Sequence, residues 1–186
     1  MSLQQRRRAL LTLAALSAAL AGCASVPAPS PASGDPLAQS YTGRLAVKVE
    51  GDAARSFSSG FDLQGTDRAG ALSLVSPLGT QIGRAVWQPG DVRLQTGDGE
   101  RQFDSLDDLA RSTLGDNVPI GALFDWLAGR PWGYATSTPL PVAGDAGFQQ
   151  LGWTVRTGRL LTDGLLMAER QDPAPAVTVR IKLDTP

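Results

Sequence analysis

Polar and apolar residues alternate with a period of two over much of the chain beyond residue 40. Leu45, Val47 and Val49 lie on one face of residues 42–50, and Arg44 and Lys48 lie on the other. Similar alternation recurs in further segments: 55–64, 72–74, 82–87, 91–96, 150–157, 165–170 and 177–183. Short turns rich in Gly, Pro and Asp separate these segments. The pattern predicts an antiparallel meander in which each strand has one apolar face.

Two segments have the spacing of amphipathic helices instead. Ser105 stands three residues before Asp108, which predicts a capping box at the start of the first helix. The second helix begins at Pro119 and ends at a C-cap near Gly129. The acidic residues near the first helix either complement its dipole or bind calcium. The apolar positions of the two helices are Leu106, Leu109, Ala110 and Leu114, and Ile120, Leu123, Phe124 and Leu127.

Many strands and only two helices predict an α+β fold. A long antiparallel sheet curls toward a barrel, and the helices can cover its open side. We therefore expect an antiparallel, incompletely closed β-barrel with a helical lid over an apolar cavity. The alternative is a core that side chains fill completely.

The N-terminus has the layout of an export signal. Arg6, Arg7 and Arg8 precede an uncharged apolar run, which ends in Leu-Ala-Gly before Cys23. This ending resembles the bacterial lipobox, in which the Cys is lipidated after the signal is removed. The pattern predicts a signal peptide at residues 1–22, lipidated Cys23 with a Pro/Ala/Ser linker to residue 40, and a folded domain at 41–186.

The composition of the chain excludes several partners and kinds of reactive site. Three of the 17 basic residues lie in the predicted signal, so the predicted mature chain has 14 basic and 18 acidic residues and a net charge of −4. This balance argues against a nucleic-acid partner. The chain has no His and one Cys, which excludes Cys/His zinc sites and His-dependent nucleophiles. We expect no enzyme activity, no cofactor and no metal, and a carboxylate-based periplasmic hydrolase is the rival among enzymes.

The hairpin at residues 76–80 carries an unusual residue. Pro77 and Gly79 are typical of a tight turn, which places Leu78 at its tip. Leu78 either folds back onto the core or projects, where it could enter a membrane or a partner.

Taken in order, several short motifs resemble the LolB family of outer-membrane lipoprotein receptors. They are Gly43-Arg44-Leu45-Ala46, Ser76-Pro77-Leu78-Gly79, Pro119 through Trp126-Leu127-Ala128-Gly129-Arg130-Pro131, Gly152-Trp153-Thr154-Val155 and Arg180-Ile181-Lys182-Leu183. The chain ends at Pro186 without the Trp-containing tail of that family, which leaves closure of the last strand open.

The resemblance implies a monomeric lipid-binding chaperone on the periplasmic face of the outer membrane, anchored through Cys23. It would accept lipoproteins from a LolA-like carrier and insert them into outer-membrane lipid. Ala24 agrees with this location, because Asp after the lipidated Cys is an inner-membrane retention signal in many bacteria. The resemblance also implies that Leu78 is the membrane-insertion tip.

The strand and helix patterns together predict which residues line an acyl-binding cavity, although each could be plain core. They are Leu45, Val47, Phe61, Leu63, Leu72, Leu74, Ile82, Val86, Trp153, Val179 and Ile181, with Leu123 and Leu127 on the lid. The alternative function is a structural outer-membrane lipoprotein with a filled core that docks on an envelope assembly.

Overall fold

One antiparallel sheet organises the part of the chain that the computed structural model describes, which is residues 37–114, 118–141 and 146–184. All of these residues belong to the unit Pro31–Pro186. The strands are β1 (Gln39–Val49), β2 (Asp52–Gly65), β3 (Gly70–Val75), β4 (Gln81–Gln88), β5 (Asp91–Thr96), β6 (Gly99–Phe103), β7 (Ser137–Pro139), β8 (Gly147–Gln150), β9 (Trp153–Arg156), β10 (Leu165–Arg170) and β11 (Val177–Leu183).

The sheet order places the first strand beside the last. The order is β6-β5-β4-β3-β2-β1-β11-β10-β9-β8-β7, and every neighbouring pair is antiparallel. Strands β6 and β7 are the two edges, so the curved sheet is not closed. This confirms the predicted open antiparallel barrel.

Side-chain alternation divides the sheet into an inner and an outer face. On β1, Leu45, Val47 and Val49 are buried on the inner face, whereas Arg44 and Lys48 are exposed on the outer face. Cross-strand partners point to the same side of a sheet, so the register extends the inner face to β11. Leu45 pairs with Ile181 and Val47 with Val179, and these four side chains belong to the hydrophobic core.

The described residues also contain short helices. They are α1 (Leu106–Leu114), a 3₁₀ helix (Ile120–Ala122), α2 (Leu123–Leu127) and α3 (Leu160–Asp163). Ser105 caps α1 as predicted, because the Asp108 amide donates to Ser105 Oγ at 3.1 Å; the Ser105 hydroxyl in turn donates to Asp108 Oδ2 at 2.8 Å. Helix α1 packs against β5, β6 and the 3₁₀ helix.

Helix α2 depends on packing for its stability. Isolated helices of five residues do not persist in water, because nucleation is costly. Leu123, Phe124, Trp126 and Leu127 are all buried against the inner face, and a side chain of this size gains about 1.5–3 kcal/mol from burial. Gly129 follows the helix with φ +79°, which allows the chain to turn away after α2.

Several elements differ from the pattern-based prediction. Residues 150–157 were expected to form one strand, but a two-residue turn at Leu151 and Gly152 divides them between β8 and β9, where Gln150 pairs with Trp153. Strands β6 and β7, most of β8, and helix α3 were not predicted. Their exposed or very short sequences lack the alternation on which the prediction depended.

Candidate functional site

The β3–β4 hairpin presents Leu78 to solvent. The Gly79 amide donates to the Ser76 carbonyl at 2.9 Å, and Ser76 Oγ accepts from the Leu78 and Thr80 amides at 3.3 and 3.2 Å. Gly79 adopts φ +83°, a left-handed conformation that favours glycine. The turn is therefore held from within, and Leu78 projects with 94% of its surface exposed.

Most of the predicted acyl-binding residues share the inner face of the sheet. Leu74 is half-buried and packs against the core. The others on this face are buried: Leu45, Val47, Phe61, Leu63, Leu72, Trp153, Val179 and Ile181. Leu123 and Leu127 are buried on α2, which packs on this face.

The prediction chose the wrong face of β4. Gly83, Ala85 and Trp87 point inward, so Ile82 and Val86 lie on the outer face, and Ile82 is 50% exposed. Both faces of this strand carry apolar residues, which makes the alternation ambiguous. Trp87 determines which face of β4 is buried, because its indole has the largest apolar surface on the strand. The indole packs edge-on against the ring of Phe124 on α2.

Aromatic side chains fill the space between α2 and the inner face. Phe124 contacts Trp87 with ring centroids 6.1 Å apart. Trp126 contacts Phe148 at 6.3 Å and Trp153 at 6.4 Å. The predicted lid residues thus pack directly on the sheet, and the helical segment itself occupies the inner face between these strands.

Gln150 joins the helical segment to the sheet through four hydrogen bonds. Its Oε1 accepts from Trp126 Nε1 and from the Trp132 amide, both at 2.9 Å. Its Nε2 donates to the Trp132 and Ala135 carbonyls, both at 2.8 Å. Gln150 is only 3% exposed, so these bonds satisfy groups that would otherwise be buried without partners.

Two clefts flank the helical segment. One, of about 310 Å³, lies between the 3₁₀ helix and the β8–β9 turn. Its apolar lining includes Leu106, Ala122, Trp132, Leu151 and Trp153, and Asp67, Ser105 and Asp107 also line it. Of the predicted cavity residues, Trp153 lines this cleft. Its volume is at the lower end of the range typical of ligand pockets.

A larger cleft of about 480 Å³ lies on the other side of α2 and carries more charge. Its lining includes Asp67, Arg68 and the ion pair between Arg130 and Asp125, whose atoms are 2.6 Å apart. Beside this cleft, Tyr41 donates its hydroxyl to Gln39 Oε1 at 2.6 Å. Burial raises the pKa of Tyr41 above its ordinary value of 10.0, Arg130 opposes the shift and Asp125 adds to it.

Leu151 occupies a backbone conformation that suits few large residues. It has φ +55° and precedes Gly152 with φ +79°, in the two-residue turn between β8 and β9. Such turns favour Asn or Gly at both positions. Sequence patterns did not identify Leu151 or Gln150 as functional candidates, although Gly152 was a signal for the turn.

Some predicted features are not part of the site described above. Cys23, the predicted lipidation site, and most of the predicted linker lie outside the described residues. Within the described ranges no group of three or more His, Cys, Asp or Glu side chains is arranged to hold a metal ion. In the same ranges no helix has the length and apolar character needed to cross a membrane.

Comparison with known proteins gives consistent matches. Residues 38–184 match the family described as Outer membrane lipoprotein LolB. The chain is similar to proteins named Outer-membrane lipoprotein LolB from Bordetella parapertussis, Thiobacillus denitrificans and Chromobacterium violaceum, with 36%, 35% and 32% identity. These alignments cover 94%, 84% and 81% of this chain and 92%, 80% and 81% of the relatives.

Proposed function

The chain belongs to the LolB family of outer-membrane lipoproteins, and on that premise we propose that it accepts lipoproteins from a LolA-like periplasmic carrier and inserts them into the outer membrane. It is a lipoprotein-binding transport factor, which needs no catalytic group for this role. We expect it to act as a monomer. Lipidated Cys23 would hold it at the periplasmic face of the outer membrane, with the 23–40 linker between anchor and domain.

The exposed Leu78 hairpin is the observation that carries the insertion step of this proposal. An isolated, 94% exposed Leu at the tip of an internally bonded turn has no packing role in the domain. Transfer of one Leu side chain into an apolar phase gains about 1.5–3 kcal/mol. This supports reversible contact of the tip with a bilayer, while the acyl chains on Cys23 provide the permanent anchor.

The apolar inner face is the proposed binding surface for the acyl chains of a lipoprotein. Helix α2 covers this face, so acyl chains would have to displace part of the helical segment. The cleft lined by Leu106, Trp132 and Leu151 leads from solvent to Trp153 on that face. We propose this cleft as the route by which acyl chains reach the inner face.

A direct transfer measurement tests the proposal. A purified carrier loaded with a lipoprotein is mixed with the chain from residue 23 carrying Cys23→Ser, and the products are separated by size. Co-elution of the lipoprotein with the acceptor is the expected result. If a well-folded acceptor takes neither lipoprotein nor a fluorescent fatty acid, the proposal fails.

The packed inner face favours one alternative, a structural lipoprotein that docks on an envelope assembly. The aromatic contacts of Trp126 and Phe124 are those of an ordinary filled core. The fatty-acid measurement separates the two functions, because a permanently filled core leaves no space for an acyl chain.

A further inference from the structure

Four basic side chains lie together on the outer face of β1 and β11. Arg44 and Lys48 are on β1, and Arg180 and Lys182 are on β11. All four are exposed. The register places Arg44 directly opposite Lys182, and Arg180 opposite Ala46 between the two basic residues of β1. We call these four residues the basic strip, and it contains both lysines of the chain.

Within the described residues, the guanidinium and ammonium groups of Arg44, Lys48 and Arg180 make no ion pair. Lys182 donates from Nζ to the backbone carbonyl of Asp163. Across from β11, the acidic residue on the outer face of β10 is Glu169, and its carboxylate already pairs with Arg156 at 2.6 Å. The charge of Lys182 also helps to lower the pKa of the Asp163 carboxyl, so this end of the strip is partly compensated, whereas Arg44, Lys48 and Arg180 make no ion pair among the described residues.

Acidic residues lie at the margins of the strip. Glu50 and Asp184 follow the ends of β1 and β11, and Asp62 is opposite Thr42, beyond Arg44. The positions between the four cations are small or uncharged, as at Ala46 and Thr178. The strip is thus a continuous basic area with acidic groups only around it.

This arrangement is unfavourable for the isolated domain. Like charges directly opposite each other on antiparallel strands destabilise the pair, as for Arg44 and Lys182. The predicted mature chain has a net charge of −4, so a cluster of four cations on one small area is not a consequence of overall composition. An anionic surface outside the protein would offset the repulsion.

The outer face continues from the strip to the Leu78 hairpin. Arg44 is opposite Gly60 on β2, and Gly60 is opposite Val75 at the end of β3. A Cβ at Gly60 would lie 2.6 Å from Val75 Cγ2, so Val75 covers Gly60 and joins the two areas. Beyond Val75 come exposed Leu78 and half-exposed Ile82.

We propose that the basic strip binds the anionic headgroups of phospholipids and thereby holds the domain with the Leu78 hairpin against the bilayer. This inference rests on the membrane step of the proposed function. Cations beside exposed aliphatic side chains match the surface of an anionic bilayer, where headgroups lie next to the acyl boundary. An acidic protein would be attracted by the cations but would not require the adjacent apolar tip.

Vesicle flotation tests the strip without the lipid anchor. The protein is the chain from residue 23 with Cys23→Ser, and the vesicles contain either phosphatidylcholine alone or phosphatidylcholine with phosphatidylglycerol. The strip variant is Arg44→Gln with Arg180→Gln. Arg68→Gln with Arg101→Gln is the matched control, because it removes the same charge from exposed positions outside the strip.

We expect the unsubstituted protein to bind the anionic vesicles more strongly than the neutral ones, and added salt to weaken this binding. Each cation at an anionic membrane surface contributes about fivefold to partitioning, so the strip variant should lose about tenfold or more. The control should retain binding within about twofold, since its cations lie away from the proposed contact.

Three outcomes would overturn the inference. The first is normal vesicle binding by the strip variant together with normal transfer from the carrier. The second is an equal loss of binding in the control and the strip variant, which would assign the effect to net charge. The third is normal vesicle binding by the strip variant with slow transfer from the carrier, which would assign the strip to an acidic protein partner. The proposed function is judged separately, by transfer from carrier to the unsubstituted chain.

Discussion

Trp126 donates its indole Nε1–H to Oε1 of Gln150, with 2.9 Å between the two atoms. The same oxygen accepts from the Trp132 amide, and the amide nitrogen of Gln150 serves two backbone carbonyls. One buried side chain on β8 therefore fixes both α2 and the segment that follows it. This contact determines how firmly the helical segment covers the apolar inner face.

Replacing Gln150 with Leu should destabilise the domain strongly. The substitution leaves the Trp126 and Trp132 donors without partners in a buried site, and each such group costs about 1–3 kcal/mol. We expect the free energy of unfolding to fall by about 3 kcal/mol or more, measured by urea denaturation. If the helical segment is what limits access, the remaining folded protein should also bind a fluorescent fatty acid more tightly.

Gln149→Leu is the matched control for this change. Gln149 is the preceding residue on β8 and is exposed, so the same substitution should change the free energy of unfolding by less than about 0.5 kcal/mol. Equal effects of the two substitutions would contradict the role assigned to Gln150.

Replacing Leu151 with Asn should stabilise the domain. Leu151 has φ +55°, which costs about 1–2 kcal/mol for a residue with a large side chain and less for Asn. We expect a gain of about 1 kcal/mol in the free energy of unfolding. Because Leu151 lines the proposed acyl route, the variant should also accept lipoprotein more slowly.

Leu151→Ala separates strain from side-chain contact. Alanine keeps the unfavourable backbone conformation, so no gain in stability is expected, but the apolar side chain is lost from the cleft. Slower acceptance in both variants, with a stability gain only for Asn, is the expected pattern. Unchanged acceptance in both would remove Leu151 from the route.

The inner and outer faces of β1 and β11, the first and last strands of the chain, were predictable from the sequence. The site around α2 was only partly predictable. On β1 and β11 one face is apolar and the other carries all the charged residues, so only one face can be buried without burying a charge. On β4 both faces carry apolar residues, so the choice depended on the packing of Trp87 against Phe124. That contact joins residues distant in sequence and leaves no local signal.

Gln150 shows a second limit of predicting side-chain direction from alternation in the sequence. In the expected strand over residues 150–157, Gln150 belonged to the face opposite Trp153. The turn at Leu151 and Gly152 pairs Gln150 with Trp153 across the hairpin and places both side chains on the inner face. Hydrogen bonds to Trp126 and Trp132 make this burial of a polar group favourable, and those partners are known only from the fold.

Tyr41→Phe should change how stability depends on alkaline pH. The folded-state pKa of Tyr41 is raised above 10.0, so the phenol ionises in the unfolded chain before it ionises in the native state. The unfolded state then binds fewer protons, and the free energy of unfolding contributed by Tyr41 is present below pH 10 and lost as pH rises further. Phenylalanine does not ionise, so the variant should not lose stability in this way.

At neutral pH the Tyr41→Phe variant should be less stable by about 1 kcal/mol, because the hydrogen bond to Gln39 is removed. The difference from the unsubstituted protein should shrink as pH rises above 10, measured as free energies of unfolding in urea. A difference that stays constant as pH rises above 10 would contradict the assignment.

Leu78→Glu should impair delivery to the membrane without affecting the fold. Leu78 is 94% exposed, so its substitution should leave the free energy of unfolding within about 0.5 kcal/mol. Loss of about 1.5–3 kcal/mol of apolar insertion at the bilayer corresponds to at least about a tenfold decrease in delivery from the acceptor into vesicles. Acceptance from the carrier should be unchanged. Leu37→Glu is the matched control, since Leu37 is 73% exposed and precedes β1, a strand parallel to β3, and so lies at the end of these strands away from the hairpin. Equal loss of delivery in both variants would show that any exposed Leu has this effect, and the hairpin would then have no special role in insertion.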